Sequence, residues 1–136
     1  MSFIINNTSG GLNRNIKLDE GFSLFMGNSG IGKTLLFDII MSYCHINKIP
    51  YSYFNSYTLD TFSKSSMIES CRNKEIVLMD NADLYLTKDM LDKIKSLGAK
   101  YILISKKSMY GLFNMDNKFK TYDVIFDGIN LSTKEY

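Results

Sequence analysis

Ile76-Val77-Leu78-Met79 is the stretch that most narrows what this chain can fold into. Four apolar residues run without alternation and stop at Asp80. A strand that is apolar on both sides of its pleat must be covered on both faces, as in a parallel sheet sandwiched by helices. Phe22 to Met26, Tyr51 to Phe54 and Tyr101 to Ile104 are further runs of strand length, with Pro50 placed just before one of them. Segments of helical period separate them. Leu35, Leu36, Ile39, Ile40, Tyr43 and Cys44 recur from Lys33 onward, and Met90, Leu91, Ile94 and Leu97 follow a capping Thr87 and stop at Gly98. Thr58 to Cys71 reads as a weaker helix. Strands alternating with helices predict an α/β fold of three layers around a mainly parallel sheet.

The ends of the chain read differently. Phe3-Ile4-Ile5 is a short apolar opening, Asn6 to Asn15 is turn-rich around Gly10-Gly11, and Ile16-Lys17-Leu18 alternates as a strand does before a turn at Asp19-Glu20-Gly21. A short helical segment is expected around Met109 to Phe113. Beyond it, Tyr122 to Phe126 and Ile129 to Leu131 flank Asp127-Gly128, which predicts a C-terminal β-hairpin. At 136 residues, 45% hydrophobic and 22% charged, the chain fits a single globular domain over 1–136. A net charge of +2 is too mild to mark an electrostatic binder of nucleic acid or membrane. No apolar run approaches the ~20 residues of a membrane span, and Met1 to Gly10 lacks a signal-peptide pattern, so a cytoplasmic location is expected. Cys44 and Cys71 fall in helical segments without metal-ligand spacing and read as buried free thiols. Arg14 and Arg72 are the two arginines.

Between the Phe22–Met26 run and the first helix stands Gly27-Asn28-Ser29-Gly30-Ile31-Gly32-Lys33-Thr34, which satisfies G-x-x-x-x-G-K-[ST] at every defined position. Its glycines let successive N–H groups turn inward toward phosphate oxygens, and the positive end of the following helix adds to that field. Lys33 can reach the β- and γ-phosphates, and the Thr34 hydroxyl can hold Mg²⁺. The bland reading is a glycine-rich turn at a helix start. The strand-loop-helix setting argues against it.

On these residues the chain resembles the P-loop NTPase superfamily, and Ile76 to Asp80 looks like its Walker B strand. The resemblance implies a three-layer P-loop fold with nucleotide held by Gly27 through Thr34 and Leu35. It implies Mg²⁺ held by Thr34 and Asp80, and a catalytic role for Lys33 and Asp80. In the additional-strand, catalytic-glutamate branch, the Tyr101–Ile104 strand should lie between the loop strand and the Asp80 strand. That branch usually carries glutamate after the Walker B aspartate; here the position is Asn81, an amide that cannot be a general base. Asp83 is the substitute base or water-positioning group, or else a loop carboxylate. Ser105 resembles a sensor position at the end of the next strand, or else a serine bonding local backbone. The opening strands resemble the first hairpin of ABC-type ATPases, but no LSGGQ-like signature, Q-loop or switch histidine follows; His45 reads as a surface residue.

The absence of an N-K-x-D guanine motif favours ATP over GTP. The first functional expectation is therefore an ATP-binding protein, a weak or partner-activated Mg-dependent ATPase or nucleotide switch acting as a small accessory protein. The second is an interaction module on the same fold whose nucleotide is structural or lost. A small-molecule kinase ranks below both, for want of a lid and of arginines. A protein partner or self-association is expected. Lys100, Lys106, Lys107, Lys118 and Lys120 would serve a nucleic-acid partner, though lysines dotted over a surface are ordinarily just solvated.

Overall fold

The computed structural model describes residues 2–26, 31–55, 57–58, 63–106 and 119–135. Its eight strands form one mixed sheet, curled into a half-barrel, in the order β1-β2-β8-β7-β3-β6-β5-β4. The parallel part is β3 (Gly21–Met26), β6 (Tyr101–Lys106), β5 (Ile76–Met79) and β4 (Tyr51–Phe54), with β7 (Phe119–Phe126) parallel on the far side of β3. β6 lies between β3 and β5, the order expected for these strands. β7 and β8 (Asn130–Glu135) form the antiparallel C-terminal hairpin, and β8 in turn pairs in parallel with β2 (Leu12–Asp19). β1 (Ser2–Ser9) closes the row as the antiparallel partner of β2.

Alternation along each parallel strand sorts its side chains into two cores. Ile76, Leu78, Tyr101, Leu103 and Phe25 join Leu36, Phe37, Ile40 and Cys44 of α1 (Ile31–Ile46) on one face. Val77, Met79, Ile102, Ile104 and Leu24 face the other way, onto Met67 of α2 (Lys64–Glu69) and onto Met90, Leu91 and Ile94 of α3 (Lys88–Ser96). Thr87 caps α3 by accepting from the Met90 N–H at 3.2 Å, and Gly98 stands just past its end with φ 105°. Helices thus cover both faces of the parallel core, as the patterning predicts, within a sheet that as a whole is mixed.

Several boundaries differ from the sequence reading. The turn-rich segment Asn6 to Asn15 is mostly strand, because Gly10 and Gly11, with φ of 58° and 77°, make the whole reversal in two residues and leave Ser9 opposite Leu12. β6 runs on through Ser105 and Lys106, and β7 starts at Phe119 rather than Tyr122, since both pair with β3 along its length. Within the described part of Thr58 to Cys71, the helix from its Ser63 cap is Lys64–Glu69. Ile129 belongs to the hairpin turn, where the Asp127 carboxylate accepts from the Ile129 and Asn130 N–H groups. The helix expected at Met109 to Phe113 lies outside the described residues, as do Gly27, Asn28, Ser29 and Gly30. Cys44 and Cys71 are buried free thiols whose pKa values burial raises to about 11.

Candidate functional site

The register brings the predicted residues to one end of the parallel strands. Phe25 stands opposite Ser105 and Met79 opposite Ile104, so Asp80, one residue beyond Met79, falls beside Ser105. Adjacent strands lie about 4.8 Å apart. Phe25, Ser105 and Asp80 thus form a row across β3, β6 and β5, and Gly27, the first residue of the glycine loop, follows Phe25 by two positions in the sequence. Leu78 and Leu103 belong to the α1-side core, so the same alternation turns Asp80 and Ser105 toward α1. Ser105 is buried at 3% exposure, Asp80 and Lys33 are half-buried, and Thr34 is exposed in the first turn of α1. Leu35 is half-buried against the α1-side core.

Asp80 is held by groups the sequence did not single out. Its N–H donates to the Phe54 carbonyl at 2.8 Å, which extends the pairing of β5 with β4 by one step. One carboxylate oxygen accepts from the Asn81 N–H at 3.0 Å and the other from the Tyr53 hydroxyl at 3.3 Å. The buried Tyr85 hydroxyl donates toward the Asp80 carbonyl at 2.7 Å and the Phe54 carbonyl at 3.2 Å, pinning the ends of both strands. Burial pushes both phenols up, and the neighbouring Asp80 charge pushes in the same direction, so both remain donors. A tyrosine one residue before the end of β4, beside the end of β5, was the signal available for Tyr53. Tyr85 had none, since its role depends on the turn that follows Asp80.

That turn explains Asn81. Its backbone is left-handed, with φ 49° and ψ 47°, a conformation asparagine tolerates and most side chains resist. The 3-10 turn Ala82–Leu84 follows and carries Asp83. An Asp83 carboxylate oxygen stands 3.8 Å from the ammonium of Lys106, which is buried at 4% exposure on the strand residue after Ser105. Alternation along β6 directs Lys106 to the face opposite Ser105. The structure therefore gathers Asp80 and Ser105 on the α1 face, while Asp83 is engaged by a lysine from the other. Lys106 is no surface lysine, contrary to its place in the basic set. Of that set, Lys100 is exposed and Lys120 is paired with Asp19, and Lys107 and Lys118 lie outside the described residues. His45 is exposed, and Arg72 forms an exposed pair with Glu69 at 2.6 Å.

α1 starts hard against the hairpin half of the sheet. A methyl group built on Gly32 would lie 3.3 Å from Val124 Cγ1 and 3.6 Å from Phe126 Cβ, so glycine lets the helix start sit on β7. No group of three His, Cys, Asp or Glu able to hold a metal occurs among the described residues. No protein-family model matches the sequence, and no curated protein matches it.

Proposed function

We propose that the chain is an ATP-binding protein of the P-loop NTPase type that holds MgATP between the 27–34 loop, Lys33, Thr34 and Asp80. The observation that carries this reading is the row Phe25–Ser105–Asp80. A strand leading into a G-x-x-x-x-G-K-[ST] loop stands one strand away from a carboxylate on the same face as the following helix. The donor set suits Mg²⁺: a half-buried carboxylate and an exposed hydroxyl are hard oxygens, and so few protein ligands suit an ion that keeps most of its waters. When bound, the ion would neutralise phosphate charge. The chain's own part is to orient the Asp80 carboxylate through Tyr53 and the Asn81 N–H, and to present Lys33 to the phosphates.

Turnover is the weaker half of the proposal. Asn81 cannot accept a proton, and Asp83 is drawn to Lys106. Those two observations favour a switch or a structural nucleotide over fast catalysis, with hydrolysis far below the ~10 s⁻¹ typical of enzymes unless a partner supplies the missing group.

Calorimetric titration with ATP, with and without Mg²⁺, tests the reading. Lys33→Ala should weaken binding by about 1.5–3 kcal/mol, the scale of a lost charged hydrogen bond. Asp80→Asn should remove the Mg²⁺-dependent part of the affinity alone. Unchanged ATP affinity in Lys33→Ala would mean the loop is not the site.

A further inference from the structure

β1 ends the sheet, and the residues whose backbone faces outward from it follow from the register. Gly10 and Gly11 make a two-residue turn, so Ser9 and Leu12 form the hydrogen-bonded pair that closes it. The antiparallel ladder alternates from there: Asn7, Ile5 and Phe3 bond β2, and Thr8, Asn6 and Ile4 turn away from it. The far side of β2 agrees. Asn13 and Lys17, the partners of Thr8 and Ile4, give their N–H groups to the Ile129 carbonyl at 2.7 Å and the Thr133 hydroxyl at 3.0 Å. Among the described residues, the backbone groups of Ile4, Asn6 and Thr8 bond no other element. Ile4 is 54% exposed, and Asn6 to Ser9 are exposed as well.

The two edges of the sheet are not alike. β4 has four residues and follows Pro50 directly, which makes it a short and poor template. β1 has eight residues, without a proline or a charged side chain. An edge of that length ordinarily carries a lysine, a proline or a bulge that turns other strands away. A charged strand laid here would lose hydration and meet no opposite charge on β1. A second β1, turned end for end about an axis normal to the sheet, meets no such penalty. Its Ile4, Asn6 and Thr8 run in the opposite sense, so donors on each strand face acceptors on the other, and no like charges are opposed. The arrangement is also closed. Each copy uses β1 alone, whereas β1 on a neighbour's β4 would leave edges free at both ends and grow a filament. We propose that the free edge of β1 is the self-association surface of this protein, where two copies join through antiparallel β1 strands into one continuous sheet. This surface is independent of the nucleotide reading.

Sedimentation equilibrium of the whole chain, with residue-resolved amide exchange, tests the proposal. The wild type should sediment at twice the chain mass at about 100 µM. In that dimer the Ile4, Asn6 and Thr8 amides should exchange about tenfold more slowly than on dilution to monomer, while those of Ile5 and Asn7 are slow in both. Asn6→Pro removes an N–H that bonds nothing within the chain, so it should give a folded monomer. The double substitution Ile4→Lys with Asn6→Lys should do the same, because a two-fold register centred on residues 4 to 6 sets lysines face to face. A wild type that is monomeric at that concentration would overturn the proposal. So would a dimer whose Ile4, Asn6 and Thr8 amides exchange as fast as in the monomer, or one that survives both sets of substitutions.

Discussion

In β5 and β6 every residue is buried, whereas β1 buries only Phe3 and Ile5, and β2 only Ile16 and Leu18. The two halves of the sheet share one inner face, packed on α1, and differ in what covers the other. α2 and α3 lie over the outer face of the parallel half, and the outer face of the hairpin half carries exposed Ile4, Asn6, Lys17 and Ile125. The proposed site sits at the boundary. Asp80 and Ser105 belong to the doubly covered half, at the ends of strands packed on both sides.

The comparison can be broken most directly on the outer face of a central strand. Ile102→Ala, in β6 against the α2–α3 layer, should cost about 2–5 kcal/mol in urea unfolding. Tyr85→Phe should cost about 1 kcal/mol by removing the hydroxyl that joins the Asp80 and Phe54 carbonyls at the ends of β5 and β4, and should loosen Asp80. Ile125→Ala, at 48% exposure on β7, should change stability by no more than about 0.5 kcal/mol. A loss there equal to that of Ile102→Ala would mean the hairpin half is covered after all. The smallest effect is confined to the β7–β8 turn. The Asn130 side-chain amide, with the Asn130 and Ile129 N–H groups, lowers the Asp127 pKa from 3.8 to about 2. A depressed carboxylate stabilises the turn above about pH 4 and stops doing so as pH falls through about 2. Amide shifts of Ile129 and Asn130 should follow that titration while Ile102 and Leu103 stay unmoved.

The same division explains how much was legible beforehand. Tyr51–Phe54 and Ile76–Met79 are strands with the bounds that the apolar runs predict; burial on both faces leaves Ile76–Met79 little freedom, and Pro50 marks the start of the half-buried edge strand Tyr51–Phe54. The hairpin half alternates and carries Asn, Thr and Ser on its outer face, so its strand residues look like loop; Asn6 to Ser9 are the case in point. At the site, Asp80 and Ser105 were legible as strand ends. Tyr53, Tyr85 and Lys106 were not, since each acts across elements that only the sheet order brings together. Asn81 was legible as the wrong residue for a base, but its left-handed backbone, the physical reason for an asparagine there, was not.

The pairing of β2 with β8 has a consequence for how the chain reaches this structure. Asn13 bonds Asn130 through their side chains at 2.9 Å, and the Lys17 N–H donates to the Thr133 hydroxyl at 3.0 Å, so strands made early are locked by one made more than a hundred residues later. At ribosomal speeds, the β1–β2 hairpin waits on the order of ten seconds for that partner. Contacts of such long sequence separation also place the chain among the slower folders of its size. Throughout that interval β2 has one free edge, and β1 carries no charged residue and no proline to discourage pairing with another chain. The parallel half can assemble first around α1. The final zipping of β8 against β2 is then the step at which a nascent copy is committed to itself rather than to a neighbour.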